Sequence, residues 1–378
     1  MKKQSLNILL YGDIDMNLID GSSIWMTSLM EVFLQDSNIR LTVLLKRPIL
    51  RNILLEPYIK GGKVKIIDPW TYFNQPFDSE EWYGRKRLLP NEAASLMENL
   101  NNEDPYDYFI VRGFNISKVM AMSKKLSSRT WAYITDFPQS QDCVTSEKQN
   151  ELKIIYENVN YIVCQTKQLE EYFKDILEMN HNKFIILPPI IPDYNLQEPS
   201  FKNNNNRLIY VGKFAFLWHI QESIDTFVKM KEKYKDIEFH IAGDKFNINP
   251  ANDNFENELR YKLENTEGVI WHKGIARGEV EKLINECDLG ISWRHSALDD
   301  SLEISTKLLE YGRLGKPVIL NKNNIHEELL GKDYPLFANS ETEFIEQVEK
   351  GFFNPDVYEK AAKILYNTCK QFTFSQVY

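Results

Sequence analysis

Short apolar runs alternate with longer segments of helical period along most of the chain. Residues 6–11 (LNILLY) are too few for a core helix and run into Gly12 and Asp13, which predicts a buried strand and a turn. Residues 23–34 (SIWMTSLMEVFL) follow with Ile24, Leu29, Val32 and Phe33 on one helical face. Apolar runs recur at 41–45, 108–112, 130–134, 161–164 and 184–187, with helical segments between several of them. Strands that alternate with helices predict a parallel sheet covered on both faces.

A polar break follows. Pro188 and Pro189 lead into a polar stretch that ends in four consecutive asparagines, 203–206. Asparagine and proline favour turns over packed elements. The alternation then restarts, with strands predicted at 208–211, 238–242, 269–272, 289–293 and 318–320 and helices at 220–234, 255–264, 278–286 and 305–314. The pattern therefore predicts two α/β halves joined near residue 200. Ligands of such sheets bind beyond the carboxyl ends of the strands, so the expected site is the cleft between the halves.

Residues 301–320 (SLEISTKLLEYGRLGKPVIL) carry the most chemistry. Ser305 and Thr306 are expected to cap a helix whose free N–H groups and dipole attract phosphate. Lys307 adds a mobile cation at the same end. Glu310 lies one turn on, near the same face, where a carboxylate can accept two hydroxyls such as those of a ribose. Gly315, Lys316 and Pro317 end the helix. The segment suits a nucleoside diphosphate. Other nucleotide signatures are missing: no G-x-G-x-x-G turn includes Gly61, Gly62 or Gly212, and no Gly-Lys-Ser/Thr follows a strand.

In these residues the chain resembles the retaining GT-B glycosyltransferases, group 1 or family 4-like. Lys-Leu-x-Glu-Tyr followed by Gly-Lys-Pro-Val-Ile is similar to that family's donor helix and next strand. In the same order, 210–213 (YVGK) with Phe227, 240–244 (HIAGD), 268–274 (GVIWHKG) and 287–292 (CDLGIS) resemble the other donor-domain strands. Asp20-Gly21-Ser22 resembles the family's amino-terminal glycine loop. The resemblance implies two Rossmann-like domains, an acceptor domain at 1–200 and a donor domain at 207–355, with a helix at 356–378 packing back on the first. It implies donor-binding roles for Gly21, Ser22, Gly212, Lys213, His219, Gly243, Asp244, Lys273, Gly274, Ile275, Thr306, Lys307, Leu308 and Glu310. It places Asp136, Glu303 and Arg112 at the reacting centre.

Four positions depart from the family pattern. Lys213 stands where the family has an arginine, and Trp218 where it has a second cation, with His219 adjacent as a substitute charge. Leu302 stands where a first glutamate is usual, with Glu303 beside it. Thr135 replaces a histidine ahead of Asp136. The resemblance implies transfer of a hexose-type sugar, with retention, from a nucleotide sugar (UDP-sugar) to a glycan, lipid-linked or protein acceptor. No cofactor and no metal are expected; Asp13-Ile14-Asp15 is taken as a chance Asp-x-Asp match. The departures motivate two alternatives, a catalytically silent subunit of a glycosyltransferase complex and a nucleotide-sugar epimerase.

Composition changes the picture in two places. The 378 residues carry 45 Lys+Arg against 54 Asp+Glu, a formal charge of -9, which argues against a nucleic-acid partner. Yet residues 40–65 hold Arg40, Lys46, Arg47, Arg51, Lys60, Lys63 and Lys65 against Glu56 alone, and a basic–aromatic cluster follows at 82–88. Such a surface suits an anionic acceptor or peripheral contact with a membrane. The four cysteines lack metal-site spacing and read as reduced thiols. With no signal peptide and no transmembrane run, the expected location is the cytoplasm, including the inner face of the membrane, in polysaccharide or cell-envelope synthesis.

Overall fold

The structure, a computed structural model, describes residues 5–72, 81–82, 85–179, 183–195 and 197–378; for 71–72, 81–82 and 85–86 it describes the backbone alone. The chain divides into two units. Met1–Asn17, Met26–Pro188 and Tyr378 form the first, and Leu18–Trp25 with Pro189–Val377 the second.

The first unit is built on a seven-stranded parallel sheet. Its strands are β1 (Leu6–Gly12), β2 (Ile39–Leu44), β3 (Val64–Ile67), β6 (Tyr108–Arg112), β7 (Thr130–Tyr133), β8 (Tyr161–Cys164) and β9 (Phe184–Ile186), in the order β3-β2-β1-β6-β7-β8-β9. A two-stranded ribbon, β4 (Glu81–Trp82) and β5 (Arg85–Lys86), interrupts the sequence. The connections are α1 (Gly21–Phe33), α2 (Glu56–Gly61), α3 (Pro69–Tyr72), α4 (Pro90–Glu103), α5 (Phe114–Met122), α6 (Ser146–Asn158) and α7 (Lys167–Leu177). β3 and α4 lie where the sequence pattern was least legible. α4 begins at Pro90, its first turn held by Glu92 accepting from the Leu89 N–H at 2.6 Å, and it buries Ala93, Leu96, Met97 and Leu100. That spacing is an ordinary amphipathic face.

The second unit carries five parallel strands, β10 (Arg207–Val211), β11 (Glu238–Ala242), β12 (Val269–Lys273), β13 (Leu289–Ser292) and β14 (Val318–Leu320), ordered β12-β11-β10-β13-β14. Its helices are α8 (Ile220–Lys233), α9 (Phe255–Asn265), α10 (Arg277–Glu286), α11 (Thr306–Arg313), α12 (Asn324–Leu330), α13 (Glu341–Phe353), α14 (Pro355–Cys369) and α15 (Phe374–Val377). The strands read as continuous apolar runs because both faces are covered, and Leu208, Phe239, Leu289 and Ile319 are fully buried.

The four asparagines are fixed rather than loose. The N–H groups of Asn204, Asn205 and Arg207 donate to the buried Asp288 carboxylate at 3.0–3.2 Å, and Asn203 Nδ2 donates to the Phe352 carbonyl at 2.7 Å. They group with the second unit, and the division falls earlier, between Pro188 and Pro189. Residues 355–377 also group with the second unit, where α14 packs on α11, α12 and α13.

Candidate functional site

The order of strands in the second unit reverses between β10 and β13. Connections leave to opposite sides there, which opens a crevice at the carboxyl edge. Gly212 and Lys213 leave β10 at that edge, and Gly243, Asp244 and Lys245 leave β11 beside them. The two loops touch through their backbones. A Cβ on Gly243 would lie 2.0 Å from the Gly212 carbonyl oxygen, so only glycine fits. The Gly212 N–H donates to the Ala242 carbonyl and the Gly243 N–H to the Lys273 carbonyl, at 2.9 and 2.8 Å. Lys273 ends β12 at a positive φ of 58°. Gly274 and Ile275 follow it and lead into α10.

α11 is held against this edge by Tyr311. Its hydroxyl accepts from the Val211 N–H at 2.8 Å and donates to the Ile209 carbonyl at 3.3 Å. The ring needs the space at Gly290, where a Cβ would come within 2.7 Å of it. Leu308 and Leu309 are buried in the core beneath the helix. Ser305 is the N-cap residue, as its position predicted, but its side chain bonds no helix N–H. The Ser-Thr pair therefore does not close the helix end, whereas Ser340 does so for α13 and Asn354 for α14.

Cations gather at that end. Lys307 Nζ sits 4.1 Å from the centre of the Tyr210 ring and 3.9 Å from where a Gly212 Cβ would stand. The Tyr210 hydroxyl donates to the Lys213 carbonyl at 2.6 Å, so one aromatic ring positions both lysines. Lys213 Nζ lies over the Trp218 ring at 4.5 Å. Burial, then the charge of Arg294, then that of Lys213 pull the Lys307 pKa down to about 7. Like charges held together in a partly desolvated place favour an anion among them.

Glu310 lies one turn further along the same helix. Its Oε1 lies 3.1 Å from Arg277 Nη2 at the start of α10. Arg277 is 33 positions away in sequence, which is why the local motif did not reveal it. His219 is a correction. It takes a positive φ of 47°, packs edge-on to Trp293 at 4.4 Å, and burial with His295 nearby brings its pKa to about 4. Both influences disfavour its charged form, which makes it a weaker candidate for the second cation than a lysine or arginine. Gly21 opens α1 with room to spare, since a Cβ there would meet nothing within 4 Å. The Asp20 carboxylate accepts from the Ser22 and Ser23 N–H groups at 2.9 Å and pairs with Lys245. Its pKa is lowered despite burial because Lys245 and those bonds favour the charged form. The end of α1 thus already holds a carboxylate. Glu303 lies in the loop ahead of α11, its N–H directed at Ser301 Oγ.

In the first unit the reversal lies between β1 and β6. Asp13 and Gly113 meet at that edge, where a Gly113 Cβ would stand 3.0 Å from Asp13 Cβ. Arg112 ends β6 with its guanidinium over the Tyr133 ring at 5.8 Å. Asp136 follows β7, exposed, at a positive φ of 63°, and accepts from the Thr135 hydroxyl at 3.3 Å. Asp13 pairs with Lys46 at 3.1 Å and Asp15 with Arg47 at 3.2 Å. Those pairs engage the Asp-x-Asp carboxylates, and they also remove two cations from the basic stretch 40–65. Arg47 is buried, so the stretch presents less open charge than its sequence implies. Side chains of 82–86 in the basic–aromatic cluster fall outside the described residues. Among the described residues, no cluster of three or more His, Cys, Asp or Glu is placed to hold a metal, and no helix is long and apolar enough to cross a membrane. Cys143 is exposed, and Cys164, Cys287 and Cys369 are buried.

These two Rossmann-like units have the GT-B fold. Residues 194–369, which include the β10–α11 site, match the family model of glycosyl transferases group 1. Solved structures match almost end to end at low identity. HepE of Anabaena in complex with UDP-glucose is 13% identical with a TM-score of 0.70, covering 98% of this chain and 96% of that one. A TarM mutant of S. aureus, in complex with fondaparinux, alpha-GlcNAc-glycerol and UDP, is 11% identical with a TM-score of 0.68, covering 98% of each chain. Sucrose-phosphate synthase of Thermosynechococcus elongatus is 12% identical with a TM-score of 0.65, covering 98% and 96%. No curated protein sequence matches the chain.

Proposed function

We propose that the chain transfers a hexose-type sugar, with retention, from a UDP-sugar to a glycan, lipid-linked or protein acceptor. The observation that carries this reading is the cation group at the end of α11, whose cap residue bonds no helix N–H. The donor diphosphate sits there, on the helix N–H groups, between Lys213 and Lys307. As the glycosidic bond breaks, negative charge grows on the leaving phosphate. Fixed cations and amides stabilise it at that moment, without reorganisation. Lys307 suits this task because its ammonium is lightly held in the free site and gains most when an anion arrives. Glu310, steadied by Arg277, receives the ribose hydroxyls, and the backbone at 273–275 receives the base. Retention implies that the acceptor attacks from the face the diphosphate leaves. Asp136 and Arg112 are the first unit's candidates for binding the acceptor.

The group 1 family match and the UDP-bound relatives of the same fold support the donor class. The test is release of nucleoside diphosphate from UDP-sugars offered with glycan and lipid-linked acceptors, with the anomer of the product read by proton NMR. The proposal expects acceptor-dependent UDP release and a retained anomer. Tight UDP binding with no transfer would favour a silent subunit. Sugar interconversion without an acceptor would favour an epimerase.

A further inference from the structure

The resemblance asks for two cations from the β10 loop, and this chain offers Lys213 with Trp218 in the second place. His219, packed against Trp293 with its charged form disfavoured by burial, is a poor fit for the gap. We infer that Arg294, arriving from the end of β13, supplies the second cation and binds the donor diphosphate through its guanidinium. This rests on the donor reading proposed above.

Three observations carry it. The first is position. Arg294 stands two residues beyond β13, on the opposite side of the strand-order reversal from Gly212 and Lys213. The second is a fixed backbone. The Arg294 N–H donates to Asn321 Oδ1 at 2.8 Å, and Asn321 Nδ2 donates back to the Arg294 carbonyl at 2.8 Å. Asn321 is itself buried and also donates to Asp299 at 2.9 Å, so the loop cannot swing freely. The third is an unspent guanidinium. Its Nε and Nη2 are buried and make no hydrogen bond among the described residues. Asp299 and Glu303 act on it through space.

Buried guanidinium donors left idle are costly unless something accepts from them. Its charge bears on Lys307 more strongly than that of Lys213 does, and it bears on His326 at the start of α12 as well. The charge of the guanidinium is therefore felt at the same helix end as that of the two lysines. Its planar fork can take two phosphate oxygens at once, a grip that the ammonium of Lys213, standing in place of an arginine, does not provide.

Calorimetric titration of the full chain with UDP, and NMR titration with uridine, compares wild type with R294Q, R294K and K307A. The expected result is a UDP affinity reduced about tenfold or more in R294Q, partial recovery in R294K, and an unchanged uridine affinity in both. If R294Q binds UDP like wild type while K307A loses it, Arg294 is not a phosphate ligand and the donor reading stands. If R294Q loses UDP and uridine equally, the residue only holds its loop, and the inference fails. If wild type binds neither UDP nor GDP nor ADP, the donor reading fails and this inference with it.

Discussion

At the scale of single residues, Lys307 concentrates the argument. Replacing it with alanine removes one charged partner of the diphosphate and should weaken UDP binding by about 1.5–3 kcal/mol, measured by calorimetry. Its pKa of about 7 in the free protein reflects burial and the facing cations Arg294 and Lys213. An anion between them favours the protonated form, so the pKa rises on binding. UDP affinity should therefore fall as pH rises through about 7, with proton uptake seen as a dependence of binding heat on buffer. The stability consequence has the opposite sense. The unfolded lysine titrates near ~10.4, so between about pH 7 and that value the unfolded chain holds more protons, and stability rises with pH. Lys307→Met should raise the melting temperature of the free protein at pH 6.5 while reducing its response to UDP. An unchanged or lower melting temperature would contradict the burial of a charged ammonium. Glu310→Gln keeps the shape but loses the ion pair with Arg277, and should weaken UDP binding while leaving binding of inorganic diphosphate unchanged.

At the scale of elements, the site exists because α11 is pressed onto the end of β10. Gly290→Ala would place a methyl 2.7 Å from the Tyr311 ring and should cost about 1–3 kcal/mol in urea unfolding by overpacking. It should weaken UDP binding too, since displacing Tyr311 frees the helix that carries Lys307. Unaltered UDP affinity in a destabilised variant would show that the helix position is not critical. The strands and most helices of the second unit were legible because buried parallel strands leave short apolar runs between amphipathic helices. Lys307 and Glu310 were legible because both lie within one helical turn. Arg277, Arg294 and Lys245 were not, because each follows a different strand and no local spacing links them to α11. The uncharged state of His219 was also hidden, since only the packing of Trp293 and His295 around it sets its pKa. In the first unit, the pairing of Lys46 and Arg47 with Asp13 and Asp15 turned an apparent basic face into part of a sheet edge.

At the scale of the whole molecule, one chain carries two Rossmann-like units. The second holds the cation group and the group 1 family match, and the first carries Asp136 and Arg112. A ligand that binds only the folded second unit should raise its melting temperature with concentration, as linkage requires. The central claim is that the donor diphosphate rests on the end of α11 and the loops after β10 and β11. Hydrogen exchange of the full chain with and without UDP tests it most directly. The account predicts slowed exchange at 212–214, 243–245 and 305–310, absent in Lys307→Ala. Protection elsewhere with none at 305–310 would contradict it.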